Sequence, residues 1–249
     1  MRRFGTVVAW LSILGGGLVL ALCALGIHAD QPRPTGASGQ DAEALATRIE
    51  DAIDLAAWAR TGAVRWTFAG RNQHLWDRRR GLVRVRWDDV EVLLREGGSA
   101  GRAYRGGAEV TGREGQALRE RAHAAWINDS FWLNAAAKLH DEGTTRRLVA
   151  DDQLLVEYAS GGLTPGDAYL WHVGEDGLPV AWQMWVSVLP VGGVRASFED
   201  WVTLSTGARV STRRAGAFGF ALTMTDVAGA ATLAELVGPE DPFAPILGD

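Results

Sequence analysis

The chain has 249 residues, with 25 basic and 30 acidic side chains, a single cysteine and eleven tryptophans. With Arg2 and Arg3 set apart, 23 basic residues face 30 acidic ones, which speaks against nucleic acid or an anionic lipid surface held by charge alone. The lone Cys23 excludes an intrachain disulfide, so the fold must stand on its own core.

Met1-Arg2-Arg3 precede Phe4 to Ile27, 24 residues without a charge. At ~1.5 Å per residue such a run spans a ~30 Å hydrocarbon core with some tilt. A secretory signal needs an apolar stretch of only about 7–15 residues, so residues 1–29 are expected to be an uncleaved membrane anchor. Ile27-His28-Ala29 is the cleavage site of the competing signal-peptide reading. Arg2 and Arg3 on the short side place residues 30–249 across the membrane, in a bacterium on the periplasmic side of the inner membrane. Cleavage would make the same part periplasmic or secreted. Cys23 follows Leu22 where a lipobox wants a small residue, and it reads as an inert thiol inside the apolar run.

Residues 30–40 contain QPRPTGASG and read as a flexible, semi-extended linker, and 41–249 as a single domain. Ser38-Gly39-Gln40-Asp41 predicts a capping box that opens a helix over 41–60, with Leu45, Ile49, Ile53 and Ala57 on one stripe. Strict alternation follows. Val64, Trp66 and Phe68 interleave with Arg65 and Thr67. His74 and Trp76 lead into the charged turn Asp77 to Gly81. Val83, Val85 and Trp87, then Val90, Val92 and Leu94, complete a meander with one apolar face. Arg78-Arg79-Arg80 read as turn and edge protection rather than an anion site.

Thr111-Gly112-Arg113-Glu114 predicts a second helix through Leu118, Ala122, Ala125 and Trp126 that stops at Asn128-Asp129. Ser130 is then expected to cap a short helix through Phe131, Trp132 and Leu133 to Leu139, with Gly143 as its stop. The sheet resumes at Leu148-Val149, Leu154 to Tyr158, Tyr169 to Val173, Val180 to Leu189, Phe198 to Ser205, Arg209 to Thr212 and Phe218 to Met224, and a short helix follows near 231–236. About nine to eleven strands without βαβ alternation predict an α+β, mainly β fold: a strongly curved antiparallel sheet, or half-barrel, with two or three helices on its concave face.

The five histidines form no HxH, HExxH or HxxxH pair, and there is no GxSxG elbow, P-loop or strand-to-helix GxGxxG. No metal, cofactor or catalytic residue is therefore expected. Asp129, Ser130, His140 and His172 make a hydrolase only if they converge in one cleft. Asp167 reads as a turn residue and His74 as a hydrogen-bonded core histidine. The positive signal is aromatic, since ten of the eleven tryptophans lie beyond the apolar run. They fill a core, line a cavity for a lipid tail, or stack on sugars at the surface; all three readings are open.

The apolar run, the helix at 41–60, the meander carrying Trp66, Trp76 and Trp87, and the NDSFWLNAAAKLHDEG stretch at 128–143 together resemble the LolA/LolB-type lipoprotein carriers. In that superfamily an incomplete antiparallel barrel wraps helices around a hydrophobic cavity. The resemblance implies a lipid or an acylated protein as partner, no enzymatic activity, and Trp66, Trp87, Trp126, Phe131, Trp132 and Trp182 as cavity candidates. An anchor through residues 4–27 departs from a soluble shuttle and fits a tethered acceptor or sensor. A structural or protein-binding domain of the same fold is the alternative.

Overall fold

The computed structural model describes residues 30–160, 164–216, 219 and 221–248. No helix among these is long and apolar enough to cross a membrane, and the predicted segment at 4–27 lies outside them.

The described residues are mainly β, with all strand pairings antiparallel and no closed barrel. After helices α1 (Gln40–Ala52) and α2 (Leu55–Arg60) come β1 (Ala63–Phe68), β2 (Asn72–Asp77), β3 (Leu82–Trp87), β4 (Val90–Arg95), β5 (Gly101–Arg105) and β6 (Ala108–Val110). The long α3 (Gly112–Asn134) and a 3-10 turn at Ala135–Ala137 lead to β7 (Thr144–Ala150), β8 (Gln153–Tyr158), β9 (Asp167–Val173), β10 (Pro179–Trp185) and β11 (Val194–Ser197). β12 (Glu199–Thr203), β13 (Arg209–Ala215), β14 (Ala221–Ala230) and α4 (Leu233–Val237) close the chain, with a last 3-10 turn at Ala244–Ile246. Phe218 and Phe220, expected in the last strand, lie outside the described residues.

Instead of one sheet of nine to eleven strands there are two, nine-stranded in the order β12-β13-β14-β1-β2-β3-β4-β5-β6 and five-stranded in the order β11-β10-β9-β8-β7. The extra strands include β6, in a stretch too rich in glycine to show a period. The strand expected over Phe198 to Ser205 begins earlier, at Val194, and is split at Phe198 between the two sheets. β10 stops at Trp185, so Val188 and Leu189 belong to the following loop.

Each sheet has its own core. Val64, Trp66, Trp76, Val85, Trp87 and Leu94 on the inner face of the large sheet pack on Leu118, Ala122 and Trp126 of α3. Leu154, Val156, Trp171, Trp182 and Met184 of the small sheet pack on Ala42, Leu45, Ala46 and Ile49 of α1. The outer face of the large sheet is covered as well, where Leu75, Leu82 and Leu93 meet Phe243 and Ile246 of the C-terminal segment.

Two helix predictions are corrected. The helix expected over 41–60 is broken at Asp54, whose left-handed backbone (φ 52°) turns the chain and whose carboxylate accepts from Ala57 N to cap α2. α1 starts at Gly39 without a side-chain cap, so the Ser38 capping box does not form. The break expected at Asn128-Asp129 is absent, because Asp129 finds tertiary partners instead of ending the helix. Its Oδ2 accepts from His74 Nε2 and Asn72 Nδ2, and its Oδ1 from Asn128 Nδ2. Ser130 sits inside α3 and donates to Ile127 O, one turn back.

Residues 30–37 are held against the small sheet rather than hanging free. Trp185 Nε1 donates to Gln31 O at 2.7 Å, Arg33 pairs with Glu157 at 2.9 Å, and Ala37 exchanges backbone hydrogen bonds with Leu148. Gly36 is needed there, since a Cβ would lie 2.5 Å from Leu148 O.

Candidate functional site

The two sheets meet at a seam. The chain passes from β11 to β12 through the single residue Phe198, and the only backbone pairing between the sheets among the described residues is the bridge Ala196–Gly216. Underneath runs α3, which touches β3, β4 and β5 at one end of the large sheet and β13 near the other. Its last turns present Phe131, Trp132 and Leu133 to both cores.

Trp182 is the centre of the seam. On β10 it faces Trp171 of β9 on one side and the small Ala196 of β11 on the other, and it has no exposed surface. Ring centroids of Phe198, Tyr169, Trp132, Trp171 and Phe131 lie 5.0, 5.0, 5.1, 5.4 and 6.0 Å from it. Tilted and edge-on pairs at such spacing are the favourable arrangements of aromatic quadrupoles. Yet several polar atoms among them have no hydrogen-bond partner: Trp171 Nε1, Trp182 Nε1, Tyr158 Oη, Arg214 Nε and Asn134 Oδ1. Burial pushes the Tyr158 and Tyr169 hydroxyls above the usual tyrosine range, so both remain protonated donors. A cleft between the last turn of α3 and β13 holds about 10 Å³, room for about one water.

The six candidate rings are not brought together. Phe131 and Trp182 sit in the seam, Trp132 belongs to both cores, and Trp66, Trp87 and Trp126 lie in the core of the large sheet. There Trp66 stacks on His74 at 4.5 Å, and the Arg121 guanidinium lies 4.3 Å above Trp87. Sequence reading left out Trp171, Phe198 and Arg214. Trp171 shares the alternation of Tyr169 and Val173 and could have been taken with them. Phe198 carries no such signal, because it is where the chain changes sheet. For Arg213-Arg214 the period-two rule puts one of the pair inside, but a charge gives no reason to choose which.

The residues proposed for hydrolysis are dispersed by their partners. Asp129 is bound to His74 and Ser130 to Ile127 O, while His140 is held by Glu50 at 2.8 Å and Glu43 at 3.0 Å. His172 pairs with Gln183 at 3.1 Å, and burial lowers its pKa. Asp167 is largely buried and ties its turn to the loop after β10, accepting from Thr164 Oγ1 and Ser187 N. Among the described residues no cluster of three or more His, Cys, Asp or Glu side chains could hold a metal ion. The Arg78-Arg79-Arg80 turn is structural in part: Arg78 donates to the carbonyls of Trp58 and Thr61 at the end of α2, and Arg80 pairs with Asp77 and Asp241.

No family model matches the sequence, and no curated protein matches it. The structure is similar to that of a LolA superfamily protein from Nitrosomonas europaea, with 12% identity over 78% of this chain and 98% of that one and a TM-score of 0.32. The match is remote and one of architecture.

Proposed function

We propose that the chain is a non-enzymatic envelope protein, tethered through residues 4–27, that takes the acyl chain of a lipid or acylated protein into the seam between its two sheets. One observation carries this reading. A cluster of aromatic rings is roofed by two sheets that share one backbone bridge among the described residues, so the sheets can part there without breaking a strand ladder. Apolar walls with a few fixed polar atoms are what an amphiphile site needs. The rings about Trp182 separate to admit the chain.

Photolabelling tests this on the full chain in nanodiscs. A fatty acid carrying a diazirine near its methyl end is cross-linked, and the adducts are mapped by peptide mass spectrometry. The expected adducts fall on α3 near Phe131 and Trp132 and on β10 near Trp182, and Trp182→Asp removes them. Labelling confined to residues 4–27 would overturn the reading.

A further inference from the structure

The seam also holds a charge that no acid among the described residues neutralises. The Arg214 side chain on β13 is only 1% exposed. Its Nη2 donates to Trp132 O at 2.8 Å near the end of α3, and its Nη1 to Ser211 O, Ser211 Oγ and Arg213 O. Its Cζ lies 3.9 Å from the Phe198 ring centroid and 5.8 Å from that of Trp182. These partners supply partial charges only, namely carbonyl dipoles, a helix end and ring faces. Burial with no charge in reach lowers the guanidinium pKa to about 9. A buried cation without an acid is one of the costlier arrangements in a protein interior.

The same cleft supports an anion from a second direction. Arg209 lines it too, with one long hydrogen bond of 3.4 Å to Ala52 O. Ser211 and the amide of Asn134 are the other polar side chains of the wall, and no Asp or Glu contributes to it. Two arginines without an acid are unexpected by composition, since acids outnumber bases along the chain. Arg214 Nε has no hydrogen-bond partner beside these groups and is the donor left for an oxyanion.

We propose that Arg214, with Arg209 at its side, binds the oxyanion headgroup, carboxylate or phosphate, of the amphiphile whose acyl chain lies against the rings about Trp182. This rests on the acyl-binding reading above and narrows it from any acyl lipid to one with a single-chain anionic end exposed to the cleft. The cleft as it stands admits about one water, so the headgroup enters with the same parting of the seam that admits the chain.

The test measures competition against the diazirine fatty acid on the full chain in phosphatidylcholine nanodiscs. The competitors are oleate, lysophosphatidic acid and neutral monoolein. At least one charged competitor is expected to displace the probe at about tenfold lower concentration than monoolein, the size of a charge-assisted hydrogen bond. Which of the two it is separates carboxylate from phosphate. Arg214→Met should bring the charged competitors to the level of monoolein, and Arg214→Lys should restore part of the difference. Arg209→Met repeats the comparison without touching the end of α3, in case Arg214→Met fails to fold. Equal displacement by all three, unchanged in the variants, overturns the anion site and leaves the acyl reading standing. Seam labelling that none of the three displaces overturns both.

Discussion

Beneath the nine-stranded sheet the buried histidine has its acid, whereas at the seam the buried arginine has none. His74 and Asp129 are both nearly inaccessible, 2.8 Å apart, and Asn72 and Asn128 donate to the same carboxylate. Around them lie Val64, Val83, Val85 and Val92, aliphatic side chains that interdigitate between the tryptophans. The seam has fewer aliphatic spacers and more ring-to-ring contacts, and Arg214 answers only to dipoles. Two aromatic cores in one chain thus differ in what their polar groups are for. Both cores leave polar atoms without partners, His74 Nδ1 and the indole N–H groups of Trp66 and Trp126 in the large one, so what sets them apart is the acid: Asp129 ties His74 to α3, and Arg214 has no acid beside it among the described residues.

Substitution should separate the two. Asp129→Ala leaves His74, Asn72 and Asn128 without their acceptor, and a loss of about 3–5 kcal/mol in thermal or denaturant unfolding is expected. Trp66→Ala in the same core should cost a similar ~3–5 kcal/mol through the cavity it leaves. Arg214→Met removes a buried charge but leaves the Trp132 and Ser211 carbonyls without that donor, so a loss of about 1–3 kcal/mol, smaller than that of Asp129→Ala, is expected. A loss on Arg214→Met as large as that on Asp129→Ala would show Arg214 to be a structural clamp on α3 and erase the contrast.

The contrast was only half legible in the sequence. Alternation placed β1, β3 and β4 almost to the residue, because burial of the inner face repeats every second position, but it took the other face for solvent, where Leu75, Leu82 and Leu93 are covered by the C-terminal segment. It could not distinguish Asp129 as a helix stop from Asp129 as the acid of His74, for the two residues are 55 positions apart and only the fold joins them. The Asp54 break was hidden for the opposite reason. The apolar stripe runs straight through Ile53 to Ala57, although the first serves the small sheet and the second the large one. Arg214 was out of reach altogether, since a sequence pattern assigns charges to solvent.

Acid should act on α3 before it reaches the join between α1 and the small sheet. The hydrogen bond from Arg146, with a further one from His140, holds the Glu43 carboxyl below its ordinary 4.5. A group depressed on folding adds stability that is complete above its ordinary pKa and lost as pH falls through the depressed value. His123 on α3 is depressed by burial alone from its ordinary 6.5, and its contribution has the same sign, declining as pH drops below that value. Melting temperature should therefore fall in two steps, the first just below pH 6.5 and the second below 4.5. Glu43→Gln should shrink the lower step, to which Asp241 beside Arg80 also contributes, and leave the upper one, whereas His123→Phe should shrink the upper step, which His172 shares, and leave the lower. A melting temperature that rises on acidification from pH 7 to 4 would contradict both assignments.

The smallest effect is expected where the two cores are joined. α1 packs on the seam core and α2 on the large one, and Asp54 makes the bend between them. Asp54→Ala loses the cap on Ala57 N and places a Cβ residue without compensation in the left-handed region, so about 1–2 kcal/mol should be lost. Asp54→Gly loses the same cap but relieves the backbone, and its cost should be a few tenths of a kcal/mol. The order of the two matters more than their size, because a pure capping role predicts equal costs and a pure conformational role predicts that glycine stabilises. If the cores unfold as one unit, tryptophan fluorescence and far-UV dichroism shift together in both variants. Two separated transitions in Asp54→Ala alone would mean that the bend couples the seam to the large sheet, and that parting the sheets can proceed without loosening the core beneath β1 to β4.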